Sequence, residues 1–103
     1  MHIQQEDNTK RGSFYFEENG KRVAELAYTW RSKDVASIDH TEVDEKFEGK
    51  GLGTLLVDHI VSFARETGIK LIVYCPFANT VFERHKNYHD VLDSTDHGAS
   101  AFP

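Results

Sequence analysis

The segment FEGKGLGTLLVDHIVSFARETGIKLIVYC, residues 47–75, limits the possible folds more than any other part of the chain. It opens with Gly49, Gly51 and Gly53 inside five positions. A helical pattern follows at once. Leu52, Leu55, Leu56, Ile60, Phe63 and Ala64 recur at helical spacing, with His59 in the same stripe. Gly68 follows the last turn, in the position of a C′ cap. Residues 69–75, IKLIVYC, then form a nearly continuous apolar run, as buried parallel strands do. Ahead of the glycines, Val35–Val43 (VASIDHTEV) reads as a strand. Strand, helix and strand make a βαβ unit, whose crossover is expected to be right-handed.

The first half of the chain has a different period. Residues 13–17 (SFYFE) have strand propensity, and Glu18-Asn19-Gly20-Lys21 carries the Asn-Gly signal of a tight hairpin. Residues 22–30 (RVAELAYTW) read as the return strand. Alternation places Ala24, Leu26, Tyr28 and Trp30 on its core face. Residues 31–34 form a polar turn into Val35–Val43. The expected fold is therefore α+β: an antiparallel meander running into the βαβ unit. Pro76 suits the first position of a further helix, a short one from Phe77 to about His85. Beyond Asn87 the signal fades. One domain is expected over residues 1–92, with 93–103 (DSTDHGASAFP) as a flexible tail.

The totals exclude several classes. The chain has 103 residues, which suits one domain with one modest core. Its net charge of −5 argues against a general nucleic-acid binder and leaves room for a cationic partner. No apolar run reaches the roughly 20 residues of a membrane helix. One cysteine excludes an internal disulfide. A cytoplasmic monomer, with no membrane and no nucleic-acid partner, is the expectation.

Glycines ahead of a helix have two readings. One is a tight turn that needs positive φ. The other is an anion site, because the first N–H groups of a helix lack intrahelical partners and the helix dipole favours negative charge there. The loop is neither a Walker loop nor a Gly-x-Gly-x-x-Gly dinucleotide pattern, since Leu55 stands where the last glycine would fall.

Gly-Lys-Gly-Leu-Gly after a strand, heading an amphipathic helix that leads to a buried strand and a short helix, resembles the GNAT superfamily of acyl-CoA-dependent N-acetyltransferases. The family pattern, Gln/Arg-x-x-Gly-x-Gly/Ala, aligns with Glu48-Gly49-Lys50-Gly51-Leu52-Gly53. Gly51 and Gly53 match, and Glu48 departs from the usual Gln or Arg. A carboxylate beside a pyrophosphate is unfavourable, so Glu48 is expected to turn to solvent, with Lys50 offsetting its charge. Residues 38–43 (IDHTEV), 75–77 (CPF) and 88–91 (YHDV) extend the likeness to the short, Yjdj-type branch. The resemblance covers residues 13–92.

It implies acetyl-CoA as acyl donor and a primary amine as acceptor, either a small molecule or a lysine side chain. It also implies that the residues from Glu48 to Thr54 hold the coenzyme A pyrophosphate through backbone N–H groups. The strands before and after the helix would splay, with Thr41 and Val43 lining the pantetheine arm and His40 and Cys75 near the thioester. Many members use a Tyr in the second helix as an acid, but residues 77–86 contain none. Cys75 offers two routes instead: it protonates the departing thiolate, or it attacks and becomes acylated. His40 could take the Cys75 proton or act as base on the amine, since imidazole titrates near neutrality. The plainer alternatives are a buried structural cysteine and a strand-end histidine. A coenzyme A-binding module without turnover and a small phosphate-binding interaction domain also stay open. His85 and His89 lie at helical spacing without an obvious further metal ligand, so no metal site is expected.

Overall fold

The computed structural model describes residues 1–93. Five strands form one sheet in the order β1-β2-β3-β4-β5: β1 Ile3–Asp7, β2 Arg11–Glu18, β3 Lys21–Ser32, β4 Val35–Val43 and β5 Lys70–Val73. The first four are antiparallel, and β4 pairs with β5 in parallel. Helix α1, Leu52–Thr67, links β4 to β5, and α2, Pro76–Arg84, follows β5. This is the expected meander joined to a βαβ unit.

Local chemistry sets the turns. Asn19 and Gly20 both have positive φ, 54° and 80°, as the tight turn between β2 and β3 requires. Gly68 takes φ 77° at the end of α1, and its N–H and that of Ile69 both donate to the Ala64 carbonyl. Pro76 opens α2, having no N–H to leave unpaired.

Leu26, Tyr28, Ile38, Leu56, Ile60 and Leu71 centre the core, and α1 packs across β2, β3 and β4. Phe14, Tyr28, Trp30 and Phe63 meet in an aromatic cluster at one end, with His59 edge-on to Phe14. These aromatics belong to the core and its border.

Several expectations need correction. Leu55 is 49% exposed. At about 100° per residue it lies across the helix from Ile60 and Ala64, while Val57 and Val61 flank them and are buried. Val23, which strict alternation puts on the face opposite Ala24, is buried beside it. A register shift leaves it as an extra residue on β3, which breaks the alternation. The last strand covers only Lys70–Val73, and Cys75 is the N-cap of α2. The polar N-terminal segment supplies β1, which was not foreseen. The faded signal after Asn87 conceals a 3₁₀ segment, Lys86–Val91, with Tyr88 and Val91 buried. Asp93, assigned to the tail, is buried, and its N–H donates to the Leu71 carbonyl. The rest of the expected tail lies outside the described residues.

Candidate active site

β4 carries one extra residue opposite β3. Ala27 pairs with His40 and Tyr28 with Ile38, so Asp39 has no partner. Asp39 is held there by hydroxyl donors from Thr29 and Ser37 and by an ion pair with Arg31 at 3.7 Å. On the other side of β4, the pairing with β5 ends at Ile38 and Val73. The N–H groups of Tyr74 and Cys75 both donate to the Ile38 carbonyl, at 3.0 and 3.1 Å. Past that point β4 continues through Val43 without β5 beside it, and the two strands part.

A cavity of about 340 Å³ opens in this region. Thr41 and Val43 of β4 line one side, and Glu48, Gly49, Gly51, Leu52, Gly53 and Thr54 line the other. Phe47 and Phe77, neither singled out by the sequence, complete the wall. Lys50, His40 and Cys75 lie outside this lining. The Lys50 ammonium sits 6.0 Å above the Phe47 ring, while the Glu48 carboxylate residue borders the cavity.

The glycines at the mouth are glycine for different reasons. Gly51, the N-cap of α1, has φ 78°, a left-handed conformation that disfavours a side chain. A Cβ there would meet nothing within 4 Å, so backbone conformation decides. Gly53 is helical, and a Cβ on it would lie 2.9 Å from two Phe77 ring carbons. Space decides at that position. The first intrahelical bond of α1 runs from Leu55 N–H to the Gly51 carbonyl, so the N–H groups of Leu52, Gly53 and Thr54 have no acceptor one turn back. Three free donors, a 16-residue helix dipole and a bare backbone suit a phosphate-type anion.

Cys75 is 3% exposed. Its Sγ–H donates to Thr41 Oγ1 at 3.5 Å. The methyl of the same threonine would lie 3.7 Å from a Cβ on Gly53. One threonine side chain therefore separates the sulfur from the cavity. His40, the preceding β4 residue, pairs with Ala27 and is exposed on the opposite face of the sheet. No hydrogen bond joins His40 to Cys75 among the described residues. A direct proton relay between them, one of the two roles left open for the imidazole, is not formed here. Phe82 is fully buried in α2 against Tyr88. The Tyr88 hydroxyl donates to Asp58 on α1 at 2.8 Å, away from the cavity. His85 stacks on the Tyr88 ring, and a His89 ring nitrogen lies 2.8 Å from the Phe82 carbonyl.

Fold and cleft together define an α+β domain with the bare, donor-rich start of α1 at the end of a parted parallel strand pair and a thiol behind the cavity wall. Comparison with known proteins supplies the class. The profile of the GCN5-related N-acetyl-transferase family matches residues 13–91. An uncharacterized N-acetyltransferase of Methanocaldococcus jannaschii is 34% identical over 67 residues, 59% of this chain and 30% of that protein. A GCN5-like protein of Staphylococcus aureus, solved by NMR, superposes with a TM-score of 0.67 at 33% identity, over 89% of this chain and 87% of that one. An aminoglycoside N-acetyltransferase solved in complex with CoA shares the fold at 13% identity, with a TM-score of 0.57 and coverage of 84% and 89%. The chain belongs to the GCN5-related N-acetyltransferase family.

Proposed function

We propose that this chain transfers an acetyl group from acetyl-CoA to a primary amine, on a small molecule or a lysine side chain. The observation that carries this reading is one cavity bordered both by the bare start of α1 and by Thr41, whose hydroxyl touches Cys75. Acetyl-CoA, the acyl donor, supplies a thioester. The N–H groups of Leu52, Gly53 and Thr54 hold its pyrophosphate. Lys50 offsets the charge of Glu48. Thr41 and Val43, on the part of β4 that β5 leaves free, offer backbone groups to the pantetheine arm.

The covalent route assigns the chemistry to Cys75. A bond forms between its sulfur and the acetyl carbon as the donor's C–S bond breaks, and the Cys75 proton goes to the departing sulfur. A neutral amine then attacks the acyl carbon. Its C–N bond replaces the C–S bond, and the amine proton returns to Cys75. Thr41 orients the thiol throughout, and charge developing on sulfur faces the positive end of α2. His40, on the far face of β4, takes the extra proton of an incoming ammonium, so that the amine reaches the acyl carbon neutral and the proton it then loses goes to Cys75.

A second reading has an observation of its own. Cys75 is buried and stands outside the cavity lining, which suits a coenzyme A-binding module without turnover. Titrating ¹⁵N-labelled protein with acetyl-CoA and weighing the intact chain separates the two. The expected result is saturable shifts at Gly49, Gly51, Gly53 and Thr54, with an acetyl adduct that Cys75→Ser abolishes. Saturable shifts without an adduct or any amine acetylation would leave the binding module. No shifts at millimolar ligand would overturn both.

A further inference from the structure

The turn between β1 and β2 lies beside the end of β3. Short polar contacts shape it. Asp7 Oδ1 accepts the Thr9 N–H at 2.7 Å, and Asn8 Oδ1 accepts those of Lys10 and Arg11 at 3.0 and 2.9 Å. The Trp30 backbone N–H donates to the Lys10 carbonyl at 2.9 Å, which fastens the turn to β3. A cavity of about 650 Å³ opens there, lined from the turn and from the end of β3. Trp30 pairs with Ala36 and Ser32 with Val35, so this cavity stands at the start of β4, whereas Thr41 and Val43 line the other cavity at its end. Lys10, Arg11, Arg31 and Lys33 line it, four of the twelve Lys and Arg residues of a chain whose net charge is −5.

Most of these cations are unpaired. Lys10, Arg11 and Lys33 form no ion pair among the described residues, whereas Lys21, Arg22 and Arg65 each hold a carboxylate. Arg31 reaches Asp39 at 3.7 Å and donates to the Ser37 hydroxyl. The one acid in the lining, Asp7, already accepts from Tyr28, Trp30 and Thr9. Trp30 is half-buried, and ring contacts with Tyr28 and Phe63 hold it as an aromatic wall. Like charges gathered in one concave site repel one another and focus a positive field, which an anion relieves.

We propose that this cavity binds a compact polyphosphate, either a nucleoside triphosphate or an inorganic polyphosphate chain, independently of the acetyl-CoA cavity. The phosphates meet Lys10, Arg11 and Lys33, and Trp30 walls one side. Three unpaired cations call for several negative charges, because a monoanion would leave most of them uncompensated. The volume is that of a small-molecule site. A nucleic-acid strand fits less well. The adjoining cavity, which shares Asp7 and Arg11, is bordered by Glu6 and Glu25, and a long polyanion would run over them.

Trp30 is the only tryptophan of the chain, so its fluorescence reports this cavity directly. Sodium tripolyphosphate and ATP are titrated without metal, at constant ionic strength, into wild type, a Lys10→Ala/Lys33→Ala double variant and Arg11→Gln, each shown to be folded by a thermal melt. The expected result is a saturable change in emission at sub-millimolar ligand, weakened about tenfold or more by the double substitution and severalfold by Arg11→Gln. In ¹⁵N-labelled protein the amide shifts should centre on Lys10, Arg11 and Lys33. Tighter binding of ATP than of tripolyphosphate would assign the nucleoside source, and equal or weaker binding the phosphate chain alone. Sodium sulfate that reproduces the tripolyphosphate curve would mean an adventitious ion only and overturn the proposal. Wild-type affinity in the folded double variant, amide shifts confined to Leu52, Gly53 and Thr54, or no saturable change at millimolar ligand would overturn it as well.

Discussion

At the scale of single residues, Gly51 and Gly53 make separable predictions. Gly51→Ala forces a side chain into a left-handed φ with free space around it. The cost is backbone strain of roughly 1 kcal/mol, seen as a lower urea midpoint. Gly53→Ala has acceptable φ and instead meets the Phe77 ring. Its expected effect is at least a tenfold loss of coenzyme A affinity by calorimetry, beyond any change in stability. Equal effects of the two on both readouts would refute the distinction. The sequence showed that glycines cluster here and what backbone N–H groups can bind. It did not show Phe77, because the ring reaches Gly53 through the packing of α2 on α1, which no local pattern encodes. The family resemblance puts His40 near Cys75; here strand alternation turns its side chain to the face opposite Thr41, which leaves it the role of base on the amine.

At the scale of elements, the well-patterned pieces were readable and the short ones were not. β4 and α1 fall on the segments expected for them because a nine-residue run with the β-branched Val35, Ile38, Thr41 and Val43 and sixteen periodic residues carry a strong signal. The 3₁₀ segment Lys86–Val91 has six residues and no such repeat. Its stability comes from tertiary partners. Tyr88 donates to Asp58, and Arg65 clasps Asp90 through two contacts of 3.0 and 2.8 Å. Arg65 also donates to the Asn87 carbonyl, and Lys70 to that of Asp90. The buried Tyr88 hydroxyl is the test. Tyr88→Phe keeps the ring against Phe82 and leaves Asp58 without its donor. The expected cost is about 1 kcal/mol. Amide exchange should accelerate across 86–91 before it does so in α1, and uniform acceleration would mean that the segment has no stability of its own to lose.

At the scale of the whole molecule, the strand order and the parting of β4 from β5 place the cavity beside the start of α1, and acid stability reports how the sheet edge is fastened. β1 is the edge strand that the sequence did not reveal, being polar and only five residues long beside the eight of β2. It is tied to β3 across β2 through Asp7. The Asp7 carboxylate accepts from the Tyr28 hydroxyl at 2.6 Å, the Trp30 indole at 2.9 Å and the Thr9 N–H at 2.7 Å. Burial pushes this carboxyl up, but the three hydrogen bonds outweigh it and hold it below the ordinary value of 3.8. Asp44, hydrogen-bonded by Lys46 N–H, and Asp90, held by Arg65, are lowered too. A carboxyl lowered by folding contributes stability that is present above its unfolded pKa and lost as pH falls through its folded pKa. The urea midpoint should therefore fall as pH drops below about 4, where the unfolded chain binds more protons than the folded one. Asp7→Asn should start lower at neutral pH and decline less in acid, since it removes one of the titrating groups. Tyr28→Phe should behave in the same sense, because Asp7 loses its nearest donor and titrates closer to its unfolded value. An Asp7→Asn variant with the wild-type acid slope would show that Asp7 adds nothing to the fastening, which then falls to the ladder with β2, the Gln5–Tyr28 hydrogen bond and the Glu6–Arg22 ion pair.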